Sequence, residues 1–184
     1  MNRRLFLGGN EFFGRLFYEF VLVEEITPIF FICSDDSQNL FACLCCLSDN
    51  DKTEWVVVPV DADSIIDMLT DKITIYQLFK DSGREAYLVS RYSNGAIDIR
   101  RHLISDIPDT LLPTPGYYME ADEGEFDEEI RSLSYISNSI VKKYSNILWL
   151  TSGEEIATMW FPEMQSFDIG AYIPIRRAVA SVRA

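Results

Sequence analysis

Short apolar blocks separated by polar turns open the chain. FYEFVLV (17–23), IFFICS (29–34), LFACLCCLS (40–48) and EWVVVPV (54–60) are rich in β-branched and aromatic residues and predict four strands. The turns between the last three, DDSQN (35–39) and DNDKT (49–53), consist of short polar side chains that bond their own backbone. A parallel connection needs a crossover of about a dozen residues, so loops this short predict an antiparallel meander. IFFICS is apolar at nearly every position and predicts a strand buried on both faces.

The spacing changes at Asp61. DADSIIDMLTDK places Ile65, Ile66 and Leu69 at helical intervals, with Asp61 or Asp63 as the N-cap and Asp67 near the positive end of the helix dipole. TIYQLFKD (74–81) predicts a second short helix burying Ile75, Leu78 and Phe79. EAYLVSRYS (85–93) and AIDIRRHLI (96–104) flank Ser93-Asn94-Gly95, and Asn-Gly between apolar segments predicts a hairpin.

DIPDTLLPTPGYY (106–118) holds three prolines and reads as an extended link. MEADEGEFDEE (119–129) carries seven carboxylates and no basic residue, which predicts a solvated acidic loop. Beyond it, NILWL (146–150) is a strand candidate, and Ser152 with Glu155 fits a capping box while EIATMWF reads equally as a strand. The expected fold is α+β: an antiparallel sheet, meander plus hairpin, with a few short helices packed on one face. Residues 1–120 form the sheet domain with helices over 61–81, 121–129 the acidic loop, and 130–184 a C-terminal α/β extension packed on the same core.

Composition narrows the function. At 184 residues and 48% hydrophobic content the chain can build one substantial core. The net charge is −13 and uneven: residues 61–129 hold sixteen Asp/Glu against six Lys/Arg, a balance of −10. No basic run is present to neutralise phosphates, so direct nucleic-acid binding is not expected. The apolar stretch Leu5–Leu7 is too short for a secretory signal, and no run approaches a membrane span, so a cytoplasmic protein is expected.

Three of the four cysteines fall at Cys43, Cys45 and Cys46. On a strand Cys43 and Cys45 share a face and Cys46 takes the other. Cys33 and the single histidine, His102, would have to join Cys43 and Cys45 to complete a zinc tetrad, but no C-x-x-C knuckle is present. Buried thiols behave as small apolar side chains, and the surrounding LFACLCCL predicts packing. No metal or cofactor is expected. No serine lies in G-x-S-x-G, and neither Gly8-Gly9 nor Gly14 begins a phosphate loop. Asp49, Asp51 and Glu54 lack the glycine and terminal glutamate of a calcium loop.

One resemblance adds to this reading. Trp55 and Pro59 in W-x-x-x-P, the helix SIIDMLTDKI, and Asp109, Leu111, Leu112 and Pro113 resemble a family of bacterial domains of unknown function over roughly residues 16–120. The resemblance implies a bacterial cytosolic protein, in some members encoded near mobile or defence-related genes, and implies no chemistry.

The expected function is therefore a non-enzymatic protein–protein interaction module without catalytic residues. Tyr117, Tyr118 and Phe126 would be exposed apolar anchors, and Glu120, Asp122, Glu123, Glu125, Asp127, Glu128 and Glu129 would steer a partner with a basic surface. Two alternatives stand beside it: an acidic inhibitor or antitoxin neutralising a nucleic-acid-acting effector, and a carboxylate- or metal-dependent enzyme using Asp35, Asp36, Asp49 and Asp51. Self-association is left open.

Overall fold

The computed structural model describes residues 4–25, 27–119, 121, 122 and 124–137. Seven strands form one antiparallel sheet in sequence order: β1 (Leu5–Asn10), β2 (Gly14–Glu24), β3 (Pro28–Ser34), β4 (Leu40–Ser48), β5 (Lys52–Val60), β6 (Glu85–Tyr92) and β7 (Ile97–Leu103). Two helices, α1 (Ala62–Leu69) and α2 (Ile75–Asp81), lie between β5 and β6 in the chain, and a third, α3, spans 127–137. This antiparallel, mostly sheet architecture with helices is compatible with the α+β class expected from the sequence.

The turns do what their side chains dictate. Asp35 Oδ1 accepts from the amides of Ser37 and Asn39, closing the β3–β4 turn. Asp49 Oδ1 accepts from Asp51 and Lys52 and closes β4–β5. Between β6 and β7, Gly95 sits at φ 84°, a conformation that costs glycine little, while Asn94 accepts from the amide of Ala96. Asp61 is the N-cap of α1, accepting from Ser64 N at 2.7 Å. Thr74 and Gln77 form a capping box at the start of α2.

Strand residues divide by parity into two apolar clusters. The first holds Phe20, Leu22, Phe30, Ile32, Leu40, Ala42, Val56, Val58 and Ala86, together with Ile65 and Met68 of α1 and Leu78 and Phe79 of α2. The rings of Phe30 and Phe79 lie 5.8 Å apart. The second holds Leu16, Val21, Phe31, Cys33, Phe41, Cys43, Trp55, Val57, Tyr87 and Val89, closed over by Phe6, Leu7 and Phe13. β3 contributes to both clusters, as its continuous apolar run predicts.

β2 contains the strand predicted at 17–23, but β1 is not evident in the sequence. LFLGGN has few apolar positions, yet β1 pairs with β2 through two register shifts and bends over the second cluster. Phe6 meets Phe31 and Trp55 edge-on at 4.8 and 5.3 Å, and Phe13 meets Tyr87 at 4.5 Å. Arg91 of β6 donates to the carbonyl of Phe6 at 2.5 Å and lies over the Trp55 ring. The sheet is thus curled, its first strand reaching across to its fifth and sixth. Trp55 is buried mid-sheet, because this hairpin roofs it. Pro59 pairs with Phe41 on β4 where the β5–β6 ladder has already ended at Val57, so its missing N–H leaves no gap in that ladder.

The link 106–118 is not simply extended. It follows one 3₁₀ turn, Ile104–Asp106, and contains a second, Asp109–Leu111, with Ile107 and Leu112 buried in the first cluster. The sequence-based strand at 146–150 and capping box at 152–155 lie outside the described residues.

Candidate functional site

The cysteines separate as strand parity requires. Cys33 and Cys43 are buried in the second cluster with Cys45 packed against it, whereas Cys46 packs against the first. His102 is the cross-strand partner of Ala86, which belongs to the first cluster. The one histidine and the other three thiols therefore occupy opposite faces, and the zinc tetrad has no geometry in which to form. Among the described residues no three His, Cys, Asp or Glu converge. Burial, followed by the charge of Glu54, pushes the Cys46 thiol up to about 11, away from the thiolate that nucleophilic or redox chemistry requires. Burial, then Cys33, raises Tyr18 to about 12.

The most developed polar cluster joins β5, β6 and β7. Ser90 Oγ, fully buried, donates to Glu54 Oε1 at 2.7 Å. Lys52 Nζ lies 3.0 Å and Arg100 Nη2 3.5 Å from the same oxygen. Arg100 also pairs with Asp98 at 3.2 Å, and Cys46 Sγ lies 3.5 Å from the Glu54 carbonyl. Burial works to raise the Glu54 pKa, but the bonds from Ser90 and Lys52 outweigh it and hold the carboxyl below its ordinary value. A depressed carboxylate is a poor base, and a Ser90 hydroxyl sealed from solvent meets no substrate. The cluster fixes three strands together. Sequence reasoning missed it because its members meet only through the β5–β6–β7 register; the available signal was a lone Glu opening an apolar strand, matched by Ser in the next.

The proposed enzyme carboxylates are turn residues. Asp35 and Asp49 are occupied by backbone amides, and Asp36 pairs with Arg15 at 2.8 Å. Asp49 is held below its ordinary value by the amides of Lys52 and Asp51.

The acidic segment differs most from expectation. Phe126 is 6% exposed and belongs to the first cluster with Ile130, Leu133 and Ile136, so it is a packing residue rather than an exposed anchor. Glu129 is also buried, and α3 begins at 127, inside the stretch expected to be a loop. The cause is helical spacing: Phe126, Ile130 and Leu133 recur at i, i+4, i+7 and turn one stripe inward. Asp122, Asp127 and Glu128 are exposed and Glu125 half-exposed. Glu125 Oε2 accepts from the amide of Asp122 at 3.0 Å. Glu120 and Glu123 lie outside the described residues. Tyr118 is 39% exposed, and the carbonyl of half-buried Tyr117 accepts from Ile75 N at 3.0 Å, tying this segment to α2. Farther along α3, Ser137 Oγ donates to Asp63 of α1 at 2.8 Å, and Tyr135 is 75% exposed.

No protein-family model matches this chain, and neither a curated protein nor a solved structure matches it. No helix among the described residues is long and apolar enough to cross a membrane.

Proposed function

We propose that this protein is a non-enzymatic interaction module of the bacterial cytosol that docks a partner protein through a fixed acidic surface. One observation carries the reading. Met119 at the start of the acidic stretch and Phe126 within it are both buried in the first apolar cluster, so the outward carboxylates beside Phe126 are held on the body of the protein. A tethered set of like charges steers a basic partner and loses less entropy on docking than a free tail does. Asp122, Glu125, Asp127 and Glu128 supply the charge, and Tyr118 the apolar contact, with Tyr117 as its support.

The helices, on this reading, cover a single face of the sheet, since α1, α2 and α3 all contribute to the first cluster and none to the second. The second face belongs to the β1–β2 hairpin. The sheet is then a platform with its acidic elements gathered on the helical side.

Affinity capture from the native host tests this. The wild-type chain is expected to retain a partner that the Glu125→Lys/Asp127→Lys/Glu128→Lys variant loses and that Tyr118→Ala weakens. Equal retention by all three proteins defeats the proposal.

A further inference from the structure

β7 is the last strand of the sheet, and its outer edge is open among the described residues. The hydrogen bonds at its two ends fix which main-chain groups face outward. Tyr92 N donates to Ala96 O, and Ile104 N donates to Arg84 O. Main-chain groups alternate in direction along a strand, and the β6–β7 register runs unbroken from Glu85↔Leu103 to Arg91↔Ile97. The even-numbered residues of β7 therefore bond to β6, and the N–H and C=O groups of Ile97, Ile99, Arg101 and Leu103 point away from the sheet.

Edges are commonly blunted by charged side chains, by proline, by a bulge or by a covering helix or loop. β7 has no proline and no bulge. It also exposes apolar side chains, with Ile97 at 46% and Leu103 at 53%. Its charges follow a self-complementary order. Asp98 and Arg100 flank Ile99 on the face that carries Ser90 and Leu88, while Ile97, Ile99 and Arg101 lie on the other.

We propose that two copies of this chain pair antiparallel through β7, with the two-fold axis at Ile99. Ile99 then faces Ile99 of the second copy, and the outward groups of Ile97 and Arg101 bond across the axis. Asp98 stands opposite Arg100 of the second copy, and Arg100 opposite its Asp98. Charge selects this register over its neighbours. An axis at Arg100 sets two guanidiniums against each other, and an axis at Arg101 does the same while placing Arg100 beside His102; like charges directly opposite are destabilising. Such an interface is isologous, as closed dimers require. It does not depend on the function proposed above.

Light scattering on the full chain, and on two charge variants, tests the proposal. The wild type is expected to run at twice the mass of one chain. Asp98→Arg alone and Arg100→Asp alone each put like charges across the axis and are expected to run as single chains. Mixed in equal amounts, they restore both opposite-charge contacts and are expected to recover the double mass. Should Arg100→Asp fail to fold, since Arg100 also touches Glu54, cysteine cross-linking gives an independent reading. Residues opposite in a hydrogen-bonded antiparallel pair have Cα atoms about 5.5 Å apart, within disulfide range. Ile99→Cys is expected to form a covalent dimer on mild oxidation, above any background from the native thiols, and Arg101→Cys is not. A wild type that stays a single chain, a mixture that fails to reassociate, or cross-linking at 101 in place of 99 overturns the proposal.

Discussion

Ser90 and Glu54 face each other across the β5–β6 ladder, hydroxyl to carboxylate at 2.7 Å, with Lys52 and Arg100 closing the charge. Removing the acid leaves the buried Ser90 hydroxyl without its acceptor and takes one partner from each of two solvent-reaching cations. Glu54→Ala is expected to cost about 1–3 kcal/mol, the range for losing a buried hydrogen bond to a charged group. Chemical denaturation measures it, and an unchanged midpoint contradicts the closed network.

The same residue sets a pH dependence. Its folded pKa lies below the ordinary carboxylate value because Ser90 and Lys52 outweigh the opposing effect of burial. A depressed carboxylate contributes stability above its unfolded pKa, and that contribution is lost as pH falls through the folded value. Glu54→Gln is therefore expected to show a shallower loss of melting temperature on acidification than the wild type. Parallel acid-side slopes contradict this.

Thiol labelling distinguishes packing from chemistry. Cys33 and Cys43 are buried in the second cluster, and burial raises both Cys45 and Cys46. A thiol reagent at mildly alkaline pH is expected to label half-exposed Cys45 and Cys46 slowly and to reach Cys33 and Cys43 only on unfolding. Rapid modification of Cys43 in the native protein contradicts its placement.

Phe126 pins the acidic segment. Phe126→Ala removes a buried ring, which costs about 3–5 kcal/mol when the whole fold depends on it. Phe126 belongs to no strand of the sheet, so the expected outcome is local: a glutamate-specific protease cuts within 119–129 far faster, while the far-ultraviolet circular dichroism of the sheet persists. Unchanged cleavage contradicts the anchoring.

What was legible in the sequence followed from local periodicity. β3, β4 and β5 stood out because β-branched and aromatic blocks are bounded by Asp, Asn and Ser turns, α1 because Asp61 precedes apolar residues at helical spacing, and α2 because Ile75, Leu78 and Phe79 keep that spacing. β1 was hidden, since Phe6 earns its place through Trp55 and Arg91, contacts no local window contains. The facing of His102 away from Cys33 and Cys43 likewise needed the ladder register. Phe126 was misread for a different reason. Seven acidic neighbours masked a helical stripe that its spacing to Ile130 and Leu133 does encode.

The salt dependence of partner binding tests the central claim most directly. Surface charges separated by more than about 8–10 Å are screened at physiological ionic strength, so steering by Asp122, Glu125, Asp127 and Glu128 must weaken as salt rises. Affinity for the captured partner is expected to fall steadily with the logarithm of salt concentration, and the Glu125→Lys/Asp127→Lys/Glu128→Lys variant is expected to abolish that slope. An affinity indifferent to salt, or a slope the variant leaves intact, contradicts the held acidic surface as the docking site.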